Sequence, residues 1–235
     1  MTDVFSMTQD RSADCADVSD LAAPALSALS APSAPSGGPF RALASVVLAS
    51  GSPRRREFLE SLGLAFEVYG NGAAEPDPLP GEPPADYARR AAEAKAASVA
   101  AARPGCVVIA ADTVVALHGE TMGKPQDRAD AVRMLARLAG HTHEVVSACC
   151  VALPGGTRET FHAVTRVTMW NAPPAALAAY AATGEPDDKA GAYGIQGVGA
   201  FLVESIDGSW SNVVGLPVAE LVQLLLRHGT IEPVA

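Results

Sequence analysis

Val46-Val47-Leu48-Ala49-Ser50-Gly51-Ser52-Pro53-Arg54-Arg55 reads as a short buried strand turning directly into a helix. Ser52 suits the N-cap, and Pro53 suits the first helical position, where its missing N–H costs nothing. Free backbone donors and the positive end of the helix dipole then face the turn, and two arginines stand beside them. That is the composition of a phosphate pocket, because guanidinium forks match phosphate oxygens two at a time. Phe58, Leu59 and Leu62 form the apolar stripe of this helix, and Arg54 and Arg55 extend it inward by one turn. Arg56 precedes Glu60 by a turn and reads as a solvated surface residue. A solvated helix start is the competing reading for Arg54 and Arg55, but positive charge there opposes the dipole.

The remainder of the 235-residue chain divides unevenly. Residues 1–42 are an Ala/Ser/Pro-rich tail with few large apolar groups; they cannot offset their ordering entropy by burial and are expected to be disordered. Residues 43–230 are long enough to bury a sizeable core and read as one domain. Neither a secretion signal nor an apolar run of membrane-spanning length is visible. Cys15, Cys106, Cys149 and Cys150 lack metal-ligand spacing, and the last three lie in apolar runs, as expected for buried thiols in a reducing cytoplasm. A formal net charge of −9 argues against general nucleic-acid binding, so a polyanionic ligand would need a local basic pocket or a metal ion.

Basic residues recur at two further places. Pro83 and Pro84 open an Ala-rich helix over 84–102 that Pro104-Gly105 closes, and Lys95 lies near its small-residue face. Such a lysine either snorkels to water or faces a cleft as a phosphate ligand. Lys124 follows a hairpin whose tip is His118-Gly119, in a turn where solvation is the ordinary outcome. Asp112 interrupts the apolar strand of residues 106–115. An unpaired carboxylate is costly to bury, so it is either a satisfied structural aspartate or a metal ligand or general base at a cleft.

Scaffold elements fill the intervals: a helix over 127–139 stopped by Gly140, strands near 143–153 and 159–170, a helix from Pro173 to Gly184 capped by Asn171, and a last helix opened by Pro217. Without a regular βαβ repeat, this pattern predicts an α/β domain around a mixed central sheet with flanking helices. The segment Asp187-Asp188-Lys189-Ala190-Gly191-Ala192-Tyr193-Gly194-Ile195-Gln196-Gly197-Val198-Gly199 fits neither a dinucleotide fingerprint nor a Walker A loop. Its glycines serve either tight turns or close approach to a flat ligand such as a base, with Tyr193 and Gln196 beside it.

Five motifs follow in order: LASGSPRR at 48–55, ADTVV at 111–115, GKP at 123–125, DKAGAYGIQG at 188–197 and VVGLP at 213–217. Together they resemble the Maf family of nucleoside triphosphate pyrophosphatases, once described as septum-formation inhibitors, from about Ser45 to Arg227. The resemblance implies a Maf/ITPase-like fold with two lobes around a cleft, commonly as a homodimer. It also implies cytoplasmic hydrolysis of a nucleoside triphosphate to monophosphate and pyrophosphate with a divalent metal, Mg²⁺ or Mn²⁺. Carried onto this chain, it makes Asp112 the proton acceptor, with Ser50, Arg54, Arg55, Lys95 and Lys124 around the triphosphate. Asp112 and Glu75 would hold the metal, although the sequence around Glu75 is more proline-rich than the family pattern and Asp77 is an alternative. Arg54, Thr113 and Gln196 match the positions that set substrate choice in the subgroup resembling dTTP/UTP pyrophosphatases, with modified pyrimidine nucleotides as further candidates.

The amide of Gln196 fits that subgroup on chemical grounds. Uracil and thymine present acceptor, donor and acceptor along the pairing edge, and an amide offers them both a donor and an acceptor. A glutamate there would suit guanine better, while cytosine also pairs with an amide. Two competing functions stay open at this level. One is a nucleotide-sensing regulator of cell division that needs no turnover; the other is a phosphohydrolase of sugar or inositol phosphates, which leaves Gln196 without a role.

Overall fold

The computed structural model describes residues 37–70 and 75–234. Residues 1–36, including Cys15, lie outside it, as do 71–74, so the expectation for most of the tail falls there. Strands β1 (Phe40–Ala42) and β9 (Ile231–Pro233) pair antiparallel, Phe40 opposite Pro233. The folded structure therefore extends beyond 43–230 at both ends: Phe40–Ala42, assigned to the tail from composition, is strand.

The main sheet runs β3 (Glu67–Val68), β2 (Val46–Leu48), β4 (Val107–Leu117), β6 (Thr142–Ala152), β7 (Arg158–Met169) and β8 (Val203–Asp207), with β5 (Glu120–Met122) paired to the far end of β4. β2 is parallel to β3 and β4, and the other pairs are antiparallel, so the sheet is mixed as expected. Along one edge of β4, β2 pairs with Val107–Ile109 and β5 with Val115–Leu117. Neither covers residues 110–114, and this gap holds Asp112 and Thr113. The carboxyl ends of the parallel strands β2 and β3 point to it, the usual place for a ligand crevice in an open sheet.

Alternation along β4 distributes its side chains between two faces. On one face Val108, Ala110 and Val114 pack with Val146, Ala148 and Cys150 against helix α2 (Pro84–Ala102), whose Ala88, Ala92 and Ala96 allow close approach. On the other face there are two apolar cores. Ile109 and Ala111 join Leu48, Cys149 and Val151 beneath α1 (Pro53–Ser61) and α6 (Val218–Arg227). Val115, Leu117 and Val145 join α3 (Arg128–Leu138) and α4 (Pro174–Ala181). The cores part at the paired residues Thr113 and Ser147. This gives the two lobes a physical boundary.

Punctuation residues set most element ends. Asp127 caps α3 by accepting from Asp130 N, and Pro217 stands at the N-cap of α6. Helix α4 departs from expectation: Pro173, not Asn171, is its N-cap, with no side-chain capping bond. Pro173 precedes Pro174 and is held extended (φ −65°, ψ 150°), so the helix cannot start earlier. Cys149 and Cys150 are buried free thiols, and Cys106 is half-buried. Among the described residues no helix is long and apolar enough to cross a membrane.

Candidate active site

Three segments distant in sequence meet at the open edge of β4. Lys95 lies on the buried face of α2, with Ala91, Ala92 and Ala96 around it, so its stem crosses small residues and its ammonium reaches β4. Lys95 Nζ donates to Asp112 Oδ1 at 2.7 Å and to Glu75 Oε1 at 2.7 Å. Lys95 and Asp112 are buried, whereas the Glu75 side chain is 55% exposed. The hydrogen bond from Lys95 holds the Glu75 carboxyl below the usual carboxylate range against the opposing effect of burial, and the charges of Lys95, Lys124 and Arg55 act in the same direction. Lys124 is exposed in the turn after β5, yet its charge is felt at Glu75.

Arg55 occupies the other side of the gap. Its Nε donates to Gly215 O (2.8 Å), Nη1 to Ser50 Oγ (3.0 Å) and Ala111 O (2.8 Å), and Nη2 to Thr113 Oγ1 (3.0 Å). The two guanidinium edges expected to face phosphate are thus largely engaged by protein oxygens, and all of those partners are neutral. Burial lowers the Arg55 pKa and the charge of Asp112 counteracts this, so a buried positive charge whose hydrogen-bond partners are all neutral sits behind the turn. Ser50 is buried and its Oγ also accepts from Ser52 N, so it braces the strand-to-helix turn. Ser52 is the N-cap by position but makes no side-chain capping bond. Arg54 is only partly buried and reaches Asp188 at 3.6 Å, which ties the start of α1 to the segment bearing Gln196. Gln196 itself is exposed.

Thr113 Oγ1 lies 2.9 Å from Ser147 Oγ and 3.3 Å from Gly215 O, besides accepting from Arg55. Ser147 Oγ donates onward to Asn212 O at 2.8 Å. The fully buried Asn212 accepts from Ser147 N and donates to Val145 O and Thr165 Oγ1. Asn212 belongs to the short helix α5 (Trp210–Val214), capped by Ser209. Sequence reasoning missed Ser147 and Asn212, although a signal existed. Ser147 interrupts the apolar run of β6 as Asp112 interrupts β4, and Asn212 directly precedes the VVGLP motif. Tyr87 was also missed as a neighbour of the charged cluster; burial raises its pKa, with Asp112 and Glu75 adding to the effect.

The segment supplying Glu75 and Asp77 is held from α2. Arg90 donates from Nε and Nη2 to the Glu82 carboxylate at 2.8 and 2.6 Å, and from Nη2 to Asp77 O. Asp77 therefore contributes a backbone carbonyl to this tether, while Glu75 is the carboxylate that meets Lys95. Asp112 and Glu75 converge on a single ammonium, so both can reach one small cation. Two hard carboxylates fit Mg²⁺ or Mn²⁺, which complete their shells with water and substrate phosphate. Among the described residues no cluster of three His, Cys, Asp or Glu side chains could form a metal cage alone.

The family model described as Maf-like protein matches residues 45–228. A dTTP/UTP pyrophosphatase of Nitratidesulfovibrio vulgaris is 66% identical over 194 residues, covering 83% of this chain and 92% of the relative. Another, from Geobacter sulfurreducens, is 48% identical over 189 residues, covering 79% and 97%. Among solved structures, a nucleoside-triphosphatase / dITP/XTP pyrophosphatase from Mycobacterium abscessus aligns over 78% of this chain and 97% of its own, with 18% identity and a TM-score of 0.40.

Proposed function

Since the chain belongs to the Maf-like protein family, we propose that it is a nucleoside triphosphate pyrophosphatase acting on dTTP and UTP, and that it works in the cytoplasm. Its relatives bear that activity in name over nearly their whole length. The observation that carries the reading is the Lys95–Asp112–Glu75 cluster in the gap of β4, faced by the neutral-partnered charge of Arg55. A carboxylate for proton transfer and cationic groups for a triphosphate meet there.

Asp112 acts as the proton acceptor. Oδ1 is fixed by Lys95, which leaves Oδ2 to take a proton from water as its oxygen bonds to the α-phosphorus. The bond from that phosphorus to the α–β bridging oxygen breaks, and pyrophosphate leaves with the electron pair. Lys95, Lys124 and the buried charge of Arg55 stabilise the negative charge that gathers on the leaving group. Asp112 and Glu75 would hold a divalent cation, which would supply further positive charge to offset that of the triphosphate. Arg54 and Gln196 set base choice by contact and Thr113 by holding Arg55, with the Gln196 amide meeting the pyrimidine edge.

Pyrophosphate release from each common nucleoside triphosphate, with and without Mg²⁺ or Mn²⁺, tests this reading. Metal-dependent release favouring dTTP and UTP is expected. Gln196→Glu should reduce UTP turnover about 10-fold or more, because a carboxylate faces the base carbonyls without a donor. Tight binding with no hydrolysis in either metal would instead support a nucleotide sensor.

A further inference from the structure

We infer that Glu185 is the positioning residue that shapes the segment presenting Gln196 and thereby sets base selectivity; the inference deepens the function proposed above and rests on it. Glu185 lies eleven residues before Gln196 in the sequence, at the start of a 3₁₀ turn (Glu185–Asp188), yet its carboxylate sits under the Gln196 loop. Oε2 accepts from Val198 N at 2.8 Å, and Oε1 accepts from Gly199 N at 3.1 Å and from the Tyr180 hydroxyl at 3.0 Å. That hydroxyl in turn accepts from Gly194 N at 3.0 Å. The backbone is thus pinned at residue 194 before Gln196 and at residues 198 and 199 after it. A carboxylate gripped by successive backbone amides is a strong local fastening, because charged hydrogen bonds are stronger than neutral ones.

The glycines of the segment record the same contact. A Cβ at Gly197 would lie 2.4 Å from Glu185 Oε2, and one at Gly199 would lie 2.4 Å from the Tyr180 hydroxyl. At Gly194 it would meet Lys189 Cε at 2.8 Å and Glu185 Oε1 at 3.1 Å. None of these three glycines has a positive φ, so they supply room rather than an unusual backbone conformation. A side chain at Gly197 would push the loop off the carboxylate, and one at Gly199 would push it off the Tyr180 hydroxyl.

Two further bonds carry the fastening toward the cleft. Lys189 Nζ donates to Glu185 O and to Asp188 Oδ1, both at 2.6 Å, and Asp188 faces Arg54 at 3.6 Å. Burial pushes the Glu185 pKa upward, but the amides of Gly199 and Val198 and the Tyr180 hydroxyl outweigh it and the carboxyl lies below its usual range. The clamp is therefore charged at neutral pH. Gln196 stays exposed, and among the described residues its side chain makes no hydrogen bond to protein. An unfastened glycine-rich loop would lose more entropy on meeting a base; the clamp reduces that cost in advance.

The experiment compares the unaltered full chain with Glu185→Ala, Glu185→Gln, Tyr180→Phe, Gln196→Ala and the Glu185→Ala/Gln196→Ala pair. Hydrogen exchange is read over residues 193–200, and kcat and KM are measured by pyrophosphate release from UTP and CTP. In Glu185→Ala, exchange at Val198 and Gly199 should accelerate ~10-fold or more. Its KM for UTP should rise ~10-fold with kcat within ~3-fold, and the preference for UTP over CTP should narrow. Glu185→Gln keeps one acceptor oxygen and should fall between, as should Tyr180→Phe. In the Gln196→Ala background the Glu185 change should leave the base preference where Gln196→Ala alone put it. Unchanged exchange in Glu185→Ala, or faster exchange with the base preference intact, would overturn the inference. Absence of turnover in the unaltered protein would refute the hydrolase reading alone, and calorimetric affinities for UTP and CTP would then decide the clamp by the same comparison.

Discussion

Asp112 and Thr113 are neighbours on β4, but their side chains leave opposite faces into different kinds of environment. Asp112 enters an ionic cluster with Lys95 and the half-exposed Glu75. Thr113 enters a hydrogen-bond network in which the Arg55 guanidinium meets only neutral partners, with Ser147 and Gly215 beside it and Asn212 anchoring it from beneath. The first environment holds charged groups paired with one another and, at Glu75, borders water. In the second, buried donors and acceptors satisfy one another, and such a set resists change because any loss leaves an unpaired polar group. Paired carboxylates on one face are thus backed by a hydrogen-bonded frame on the other, one residue away.

The largest effect expected from breaking this division is on turnover. Asp112→Asn keeps an acceptor oxygen for Lys95 and should preserve the fold, while pyrophosphate release falls by about 10²–10⁴-fold. Near-normal release in that variant would remove Asp112 from the chemistry. On the opposite face a penalty should appear in stability as well. Arg55→Met leaves Ala111 O without its side-chain donor and Gly215 O with only the longer contact to Thr113 Oγ1 in a buried site, and should cost about 3 kcal/mol in urea unfolding. A loss below about 1 kcal/mol would show that the network is not the frame described here.

His143 gives a third comparison, since it lies on the same face of β6 as Ser147. It is buried, its Nε2 is 2.8 Å from the Tyr193 hydroxyl, and among the described residues its Nδ1 has no hydrogen-bond partner. Burial lowers its pKa to about 4 from 6.5. Between those values the unfolded chain binds a proton that the folded one refuses, so this contribution is complete above about pH 6.5 and is lost as pH falls toward 4. Its full size is about 3 kcal/mol. Equilibrium unfolding from pH 7 to 4 should show a shallower loss in His143→Gln; equal slopes would remove His143 as the cause. Thr113→Val should have the smallest effect. The deleted hydroxyl frees one Arg55 donor and one contact to Ser147, for about 1–2 kcal/mol in the same assay.

Local features of the sequence were legible where residue chemistry has short range. Pro83 and Pro84 fix the start of α2, and Asp112 declares itself by interrupting an apolar strand. Lys95 also stands where its helical spacing put it, near the small-residue face of α2, with its ammonium on Asp112 and Glu75. Arg55 was legible as an inward cation but not as an engaged one. Its acceptors Ala111 O and Gly215 O are main-chain atoms 56 and 160 residues away, and carbonyls carry no mark in a sequence. The β1–β9 pairing was hidden for the same reason, because strands of three residues have no periodicity and join chain segments far apart. The glycines of 191–199 were ambiguous between turn and close approach. Gly191 has φ 71° and abuts Val115, whereas Gly194, Gly197 and Gly199 wrap side chains that precede them.

The two apolar cores on one face of the sheet have a thermodynamic corollary. β4 and β6 each run unbroken through both, with Ile109 and Cys149 on one side of the Thr113–Ser147 pair and Val115 and Val145 on the other. Melting either lobe alone would fray these strands at mid-length and strip their inter-strand bonds. Heating should therefore give a single calorimetric endotherm whose van't Hoff and measured enthalpies agree.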